Sequence, residues 1–207
     1  MPTRLYHEDL WRSLPPGLQP PALELRARFL LGAVRSGERV LDVGCGEGEL
    51  AARLVRAGAQ VLAVDVAEEA LRRAREAHPE LELRVIDAEG EWDLPDAAFD
   101  VVWAGEVIEH VADTAVWLSE ARRVLRPGGA LLLSTPAHGL LVRLWLALWP
   151  GAFDAHLHPL GDHLRFYTRK GLATLLAEFG FESISVKRAG RLPWRSVLLS
   201  SSRRGRF

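Results

Sequence analysis

Apolar residues recur along this chain in two periods that take turns. Short apolar runs, Val40 to Val43, Val61 to Val64, Leu81 to Ile86, Phe99 to Ala104 and Ala130 to Leu133, read as strands, and Phe99 to Ala104 is apolar on both faces as a central parallel strand should be. Between them Leu50 to Ala57, Ala67 to Ala77 and Thr114 to Leu125 carry the helical period, with Gly58 closing the first and Pro127-Gly128-Gly129 the last. Another helix, Leu23 to Val34, precedes the first strand. Residues 1 to 21, rich in proline and turn formers with Tyr6 and Trp11 as apolar anchors, read as an entry segment placed to cover a site. The rhythm breaks over residues 137 to 165 and resumes with a helix from Arg169 to Glu178. Phe181 to Val186 and Arg195 to Ser200 then read as two strands around Gly190 and Pro193, paired as a hairpin at the sheet edge. This order predicts an α/β fold: a doubly wound, mostly parallel seven-stranded sheet with a C-terminal antiparallel hairpin. One domain over 1–207 is expected, with 1–35 as a helical cover and 137–165 as an insertion.

At 207 residues and 48% hydrophobic, the chain is long enough to bury a full core. A formal net charge of -1, from 26 basic and 27 acidic residues, offers no long-range attraction to nucleic acid, and no nucleic-acid partner is expected. The lone cysteine, Cys45, excludes an intramolecular disulfide and points to a reduced, cytoplasmic setting. No signal-peptide pattern is read. The most apolar stretch, Leu140 to Trp149, falls well short of the ~20 residues a spanning helix needs. Asparagine is absent and glutamine occurs only at Gln19 and Gln60, a depletion that fits a heat-adapted organism and that an arginine-rich, GC-rich genome also produces.

The candidate chemistry starts at Val40-Leu41-Asp42-Val43-Gly44-Cys45-Gly46-Glu47-Gly48-Glu49-Leu50, a strand, a glycine turn and a helix start. Glycines there let a ligand approach backbone. A dinucleotide fingerprint wants Gly-x-Gly-x-x-Gly, yet Glu49 stands at the last position, and Glu47 and Glu49 would repel a pyrophosphate. A cofactor with a cationic or neutral group suits the turn better. Parallel sheets bind ligands beyond the carboxyl ends of their strands. Asp42, Asp65, Asp87 and the pair Gly105-Glu106 all fall at such ends. Asp65 follows the glycines at the interval that brings a carboxylate onto a ribose diol, while a lone acid before Ala67-Glu68-Glu69 is equally a helix cap.

Taken in order, these residues resemble the class I S-adenosylmethionine-dependent methyltransferases. Val40 to Leu50 resembles their first motif, Asp65 the ribose-binding acid, and Asp87-Ala88-Glu89 the adenine-contacting segment. Phe99-Asp100-Val101-Val102, Glu106-Val107-Ile108-Glu109-His110-Val111 and Arg123-Val124-Leu125-Arg126-Pro127-Gly128-Gly129 most resemble the small-molecule branch that includes the ubiquinone-biosynthesis O-methyltransferases. The resemblance covers residues 38 to 135 firmly and runs more loosely to about 201. It implies a Rossmann-like sheet and S-adenosyl-L-methionine as cofactor. Asp42, Gly44, Cys45, Gly46, Asp65, Val66, Asp87, Ala88, Glu89, Gly105 and Glu106 would then hold that cofactor, and local negative charge would favour its ammonium and sulfonium centres.

Methyl transfer is an in-line displacement, so positioning supplies much of the rate and a base is needed only for a protonated acceptor. The resemblance makes His110 the first candidate base; a structural role orienting its loop is the other reading. His156, His158 and His163 lie in or at the end of the insertion, the part that roofs the acceptor pocket in this superfamily, and His158 and His163 are read as acceptor contacts. Their spacing matches no standard zinc pattern and no metal is assigned, although some members of the ubiquinone branch depend on a divalent ion. Leu140 to Trp149 is read as pocket lining or lid, as interior helix, or as a weak membrane-surface contact. An apolar small-molecule acceptor methylated at oxygen is the expected substrate, and a monomer or homodimer the expected assembly. Two other classes are weighed: a noncatalytic S-adenosylmethionine-binding protein and a nicotinamide-dependent oxidoreductase. Trp92 is read as a core plug ahead of a cofactor contact, and Arg203-Arg204-Gly205-Arg206 as a solvated tail.

Overall fold

A computed structural model of the chain describes residues 3–138, 140–149, 151, 163–190 and 197–205. Among these, seven strands form one sheet in the order β3-β2-β1-β4-β5-β7-β6. Strands β1 (Arg39–Val43), β2 (Gln60–Asp65), β3 (Glu82–Val85), β4 (Phe99–Gly105) and β5 (Leu125–Pro136) are parallel. β7 (Val197–Arg204) lies antiparallel between β5 and β6 (Phe181–Ala189). The chain steps outward from β1 to β3, then returns to β4 on the other side of β1. That reversal opens a crevice beyond the carboxyl ends of β1 and β4.

Alternation along each strand divides the core into two layers. Val40, Val61 and Ala63 pack with Leu23, Ala27 and Leu30 of α2 (Leu23–Ala33) and Leu50 and Leu54 of α3 (Glu49–Arg56). Leu41, Val43 and Val64 face the opposite layer, where Trp117 and Leu118 of α5 (Thr114–Val124) and, beyond α6 (Leu140–Leu148), Leu172 and Leu176 of α7 (Arg169–Glu178) are buried. Trp92 is 2% exposed and meets Trp117 edge-on at 5.7 Å, which makes it part of this core.

The chain departs from its sequence pattern in three places. Its early residues form a helix, α1 (Thr3–Ser13), because no proline falls between Pro2 and Pro15; α1 lies against α4 (Glu68–Ala77). β5 begins at Leu125, ahead of Pro127-Gly128-Gly129, because Leu125 pairs with Phe99 and a register shift then carries the strand past the glycines. Arg203 and Arg204 of the expected tail are strand residues: Arg203 pairs with Ala130, and Arg204 donates to the carbonyls of Leu125 and Arg123, tying the end of β7 to the start of β5; Arg206 lies outside the described residues. Pro193 and Arg195 of the expected hairpin lie outside the described residues.

Candidate active site

The glycine turn is built from backbone. Gly44 and Cys45 donate to the carbonyl of Val64 at 2.8 and 3.0 Å, tying the turn to the end of β2. Gly44, Gly46 and Gly48 have φ of 71°, 55° and 80°, a region that carries little strain only for glycine. A Cβ on Gly44 would fall 2.5 Å from Val107 Cγ2, and one on Gly46 would fall 3.0 Å from the ring of Trp11. Gly48 is the residue that lets α3 approach its neighbours, since a Cβ there would lie 2.7 Å from Leu81. The close-packing role expected at the position of Glu49 is thus filled one residue earlier.

Asp65, 7% exposed, uses one carboxylate oxygen to accept from Gly46 N at 2.9 Å and the other from Ala67 N at 3.0 Å. It is therefore both the cap of the following turn and a brace of the glycine loop. Each oxygen keeps a further lone pair for a ligand hydroxyl. Burial raises its pKa from the ordinary aspartate value. Asp42, 2% exposed, is pushed up to about 7 by burial and by the charge of Asp65, against the opposing pull of Arg26. Cys45 is raised too, by burial and these two carboxylates, which makes it a packed, unreactive thiol.

Arg26 is the residue that sequence reasoning missed. It comes from α2, is 2% exposed, and its charge acts on Glu106, Glu109 and Asp42 while its guanidinium donates to the carbonyl of Pro21. The local pattern marks only an amphipathic helix; nothing in it shows a cation carried across to β1 and β4. The carboxylates that sequence did stress have other duties. Glu47 accepts from Gly17 N at 2.9 Å and pairs with Arg73 at 3.2 Å, and Glu49 pairs with Arg53 at 2.9 Å. Glu47 and Glu49 line the crevice already paired with arginines, and the other carboxyl groups at this end, Asp42, Asp65 and Glu106, have their pKa values raised by burial.

Two cavities meet at the turn. One, of about 200 Å³, is lined by Gly44, Asp65, Val66, Asp87, Ala88 and Glu89 on one side and by His7, Trp11, Val107 and His110 on the other. The second, of about 500 Å³, runs past Asp42, Cys45, Gly46, Gly105 and Glu106 to Arg26 and the Gly17 to Pro21 segment. Trp11 borders both. Within the first, Asp87 accepts from Glu89 N at 3.0 Å, and Glu89 accepts from Ala112 N at 2.9 Å, so its carboxylate holds the loop after β4. Glu106, at φ 60°, accepts from Ser134 Oγ at 2.9 Å.

That loop is pinned from above. The carbonyl of Glu109 accepts from Leu164 N at 2.8 Å and from Arg165 N at 3.2 Å; the Arg165 side chain donates to the carbonyls of Val111 and Ala112. These bonds bring His163 onto His110 with ring centroids 4.8 Å apart, and His7 of α1 stands 6.4 Å from His110. Glu109, 1% exposed, joins them: one ligand atom from each of Glu109, His110 and His163 lies within 4.8 Å of the others. Burial and the charge of Glu106 raise the Glu109 pKa to about 8. Of the predicted catalytic histidines, His110 and His163 are thus brought together, while His158, with His156, lies outside the described residues.

This geometry has known counterparts. A family model described as a methyltransferase domain matches residues 18–186. A ubiquinone biosynthesis O-methyltransferase of Xanthomonas oryzae pv. oryzae is 37% identical over 178 residues, 81% of this chain and 72% of that one. Among solved structures, a SAM-dependent methyltransferase of Methanosarcina mazei superposes with a TM-score of 0.69 at 22% identity, covering 84% of this chain and 95% of the other. Phosphoethanolamine N-methyltransferase 2 of Haemonchus contortus, solved with S-adenosyl-L-methionine, gives 0.67 at 18% identity, covering 89% and 53%; at such identities the likeness is one of fold. The protein belongs to the S-adenosylmethionine-dependent methyltransferases, and S-adenosyl-L-methionine is its methyl donor. The nicotinamide reading has no support left. The residues fit that donor: two glycines in the left-handed region with no Cβ between the turn's backbone and the cavities they line, and buried carboxyl groups suited to ribose hydroxyls and to a cation.

Proposed function

We propose that this enzyme methylates an oxygen of a small, apolar acceptor bound beside Glu109, His110 and His163. The observation that carries the reading is that cluster: two imidazoles and a buried carboxyl held together by the bonds from segment 163–165 to the loop after β4, at the rim of the cavity that Gly44 and Asp65 line. The 37% identity to an O-methyltransferase supports oxygen as the target. The cofactor, when bound, supplies an electrophilic methyl on a sulfonium. The residues of the chain do the rest. Asp65 accepts from the ribose hydroxyls, Val66 and the Asp87 to Glu89 segment flank the adenine, and Gly44, Cys45, Gly46, Gly105 and Glu106 shape the passage to the methionine end. Asp42 and Arg26 face the ammonium and carboxylate there. His110 takes the acceptor's hydroxyl proton and His163 orients it, while Glu109, kept largely protonated by burial, lies beside both. Of the expected cover, α1 and α2 lie over the cofactor, and of the expected insertion 137–165, segment 163–165 lies over the acceptor, residues 152–162 being outside the described ones.

The test is a panel of alkyl-substituted phenols and catechols with S-adenosylhomocysteine release as readout. His110→Gln should lower kcat about 100-fold or more, the size expected for loss of a general base, with unchanged S-adenosylhomocysteine affinity. Turnover of amines but not of hydroxyl acceptors would overturn the assignment to oxygen. A second reading uses the same cluster, whose ligand atoms lie within reach of one cation: Glu109, His110 and His163 hold a divalent ion. Calorimetry with Mg²⁺ and Zn²⁺ on wild type and Glu109→Gln separates the two, since only the second requires binding that the substitution abolishes.

A further inference from the structure

The loop from β4 to α5, residues 106–113, carries Glu109 and His110 and is held by partners from distant parts of the chain. It opens at Glu106, with φ of 60°, and makes one turn of its own, from His110 N to the carbonyl of Val107 at 2.9 Å. Its later carbonyls are taken by one segment. Tyr167 Oη donates to the carbonyl of Ile108 at 3.3 Å, Leu164 N to that of Glu109 at 2.8 Å, and the guanidinium of Arg165 to those of Val111 and, at 2.7 Å, Ala112. The amides that follow go elsewhere. Ala112 N donates to Glu89 Oε1 at 2.9 Å and Oε2 at 3.0 Å, and Asp113 N to Oε2 at 3.4 Å.

Two consecutive peptide units are therefore gripped at both ends: Arg165 holds the carbonyls of Val111 and Ala112, and Glu89 the N–H groups of Ala112 and Asp113. In a planar trans unit these groups point in opposite directions, so cation and carboxylate stand on opposite sides of the loop and polarise each peptide the same way. Ala112 and Asp113 are exposed, and water could satisfy the same groups; what the two charged partners add is a fixed geometry. Glu89 belongs to the segment that lines the first cavity with Gly44 and Asp65, whereas Arg165 lines neither cavity at the glycine turn. We propose that Glu89 and Arg165 clamp these peptides and so couple the donor side of the crevice to the segment at His163, which makes Arg165 a positioning residue for His110. A ligand beside Glu89 stills its carboxylate, the carboxylate fixes the peptides, and the peptides fix Arg165 and the backbone on either side of it. Its effect on turnover rests on the reading of His110 as the base; the coupling itself does not.

The experiment is amide hydrogen exchange of the full chain by NMR, with and without S-adenosylhomocysteine. Leu164 N–H is the reporter, since Leu164 lines neither cavity and its bond to the Glu109 carbonyl is the one beside Arg165. Saturating S-adenosylhomocysteine slows its exchange about tenfold in the wild type, a typical coupling between two sites. Arg165→Met keeps the stem, removes the donors and abolishes the response while S-adenosylhomocysteine still binds. Arg165→Lys, with the charge but no fork, gives an intermediate response and serves as the test if the methionine variant does not fold. A residue that merely stabilised the fold would speed exchange with and without ligand and leave the ratio unchanged. In turnover with S-adenosyl-L-methionine, Arg165→Met lowers kcat on the order of 100-fold, the loss that a displaced catalytic group brings. No response in the wild type, or an equal response in the wild type and both variants, overturns the proposal. So does full turnover by Arg165→Met where His110→Gln is crippled, whereas full turnover by both overturns the base reading and leaves the coupling to the exchange result.

Discussion

Asp42, buried beside Asp65, has its pKa raised to about 7 by burial and that neighbour against the pull of Arg26. In the proposed binding mode an ammonium group lies nearby and favours the carboxylate, so cofactor binding would drive a proton off Asp42. The sign follows: affinity for S-adenosylhomocysteine rises with pH up to about 7 and levels above it, falling toward tenfold for each unit below. Calorimetry over that range checks this, and Asp42→Asn should bind more weakly with a flatter profile, leaving only the contribution of Asp65. The stability of the cofactor-free protein runs the other way. A carboxyl whose folded pKa lies above the unfolded 3.8 stabilises most below 3.8 and loses that contribution as pH rises through about 7. Thermal unfolding of Asp42→Asn relative to wild type should therefore improve steadily between these limits, and a constant difference would contradict the assignment.

Among the elements, α1 decides access to the site. Trp11 sits against Gly46, and the helix is held there by Arg73 of α4, which donates to the carbonyls of Trp11 at 2.7 Å and Leu14 at 3.1 Å while pairing with Glu47 and Glu69. Arg73→Met keeps the stem and removes the donors. Loss of two hydrogen bonds worth about 1 kcal/mol each should raise the S-adenosylhomocysteine dissociation rate roughly tenfold or more in stopped-flow measurements; an unchanged rate would make α1 a fixed wall. This arrangement also shows where sequence reading ends. The turn at Gly44 and the acid at Asp65 were legible because the glycine spacing and the interval to the next strand end are both local features of one strand-turn-helix-strand unit. The partners of Glu47 were not, because Gly17 and Arg73 lie 30 and 26 residues away and no local period connects them. The two glutamates therefore read as free negative charge, although both are paired with arginines. Arg26 and His7 were hidden for the same reason. β5 was misjudged differently: Pro127-Gly128-Gly129 is a stop signal for a helix, and only pairing with Phe99 shows that the strand has already begun.

Taken whole, the molecule divides its work along the sheet. On the proposed assignment, the half from β1 to β3 with α1 to α4 holds most of the cofactor, with Gly105 and Glu106 closing its methionine end, and the half from β4 onward supplies Glu109, His110 and the returning segment at His163. Both cavities touch Glu106 and Gly44, so a ligand filling them ties the two halves and the α1 cover together. Such a ligand binds the folded chain alone, which makes stability report on occupancy. At 100 times its dissociation constant, S-adenosylhomocysteine contributes about 2.7 kcal/mol, which for a domain of this size raises Tm by roughly 5 to 10 °C. NAD at the same concentration should leave Tm where it is, because its pyrophosphate would face Asp42, Asp65 and Glu106 with only Arg26 to offset them. A shift with both ligands would mean that adenosine alone is recognised. In that event the methionine end, with Asp42 and Arg26, would contribute nothing to selection, and the division of labour drawn along the sheet would fail at β1.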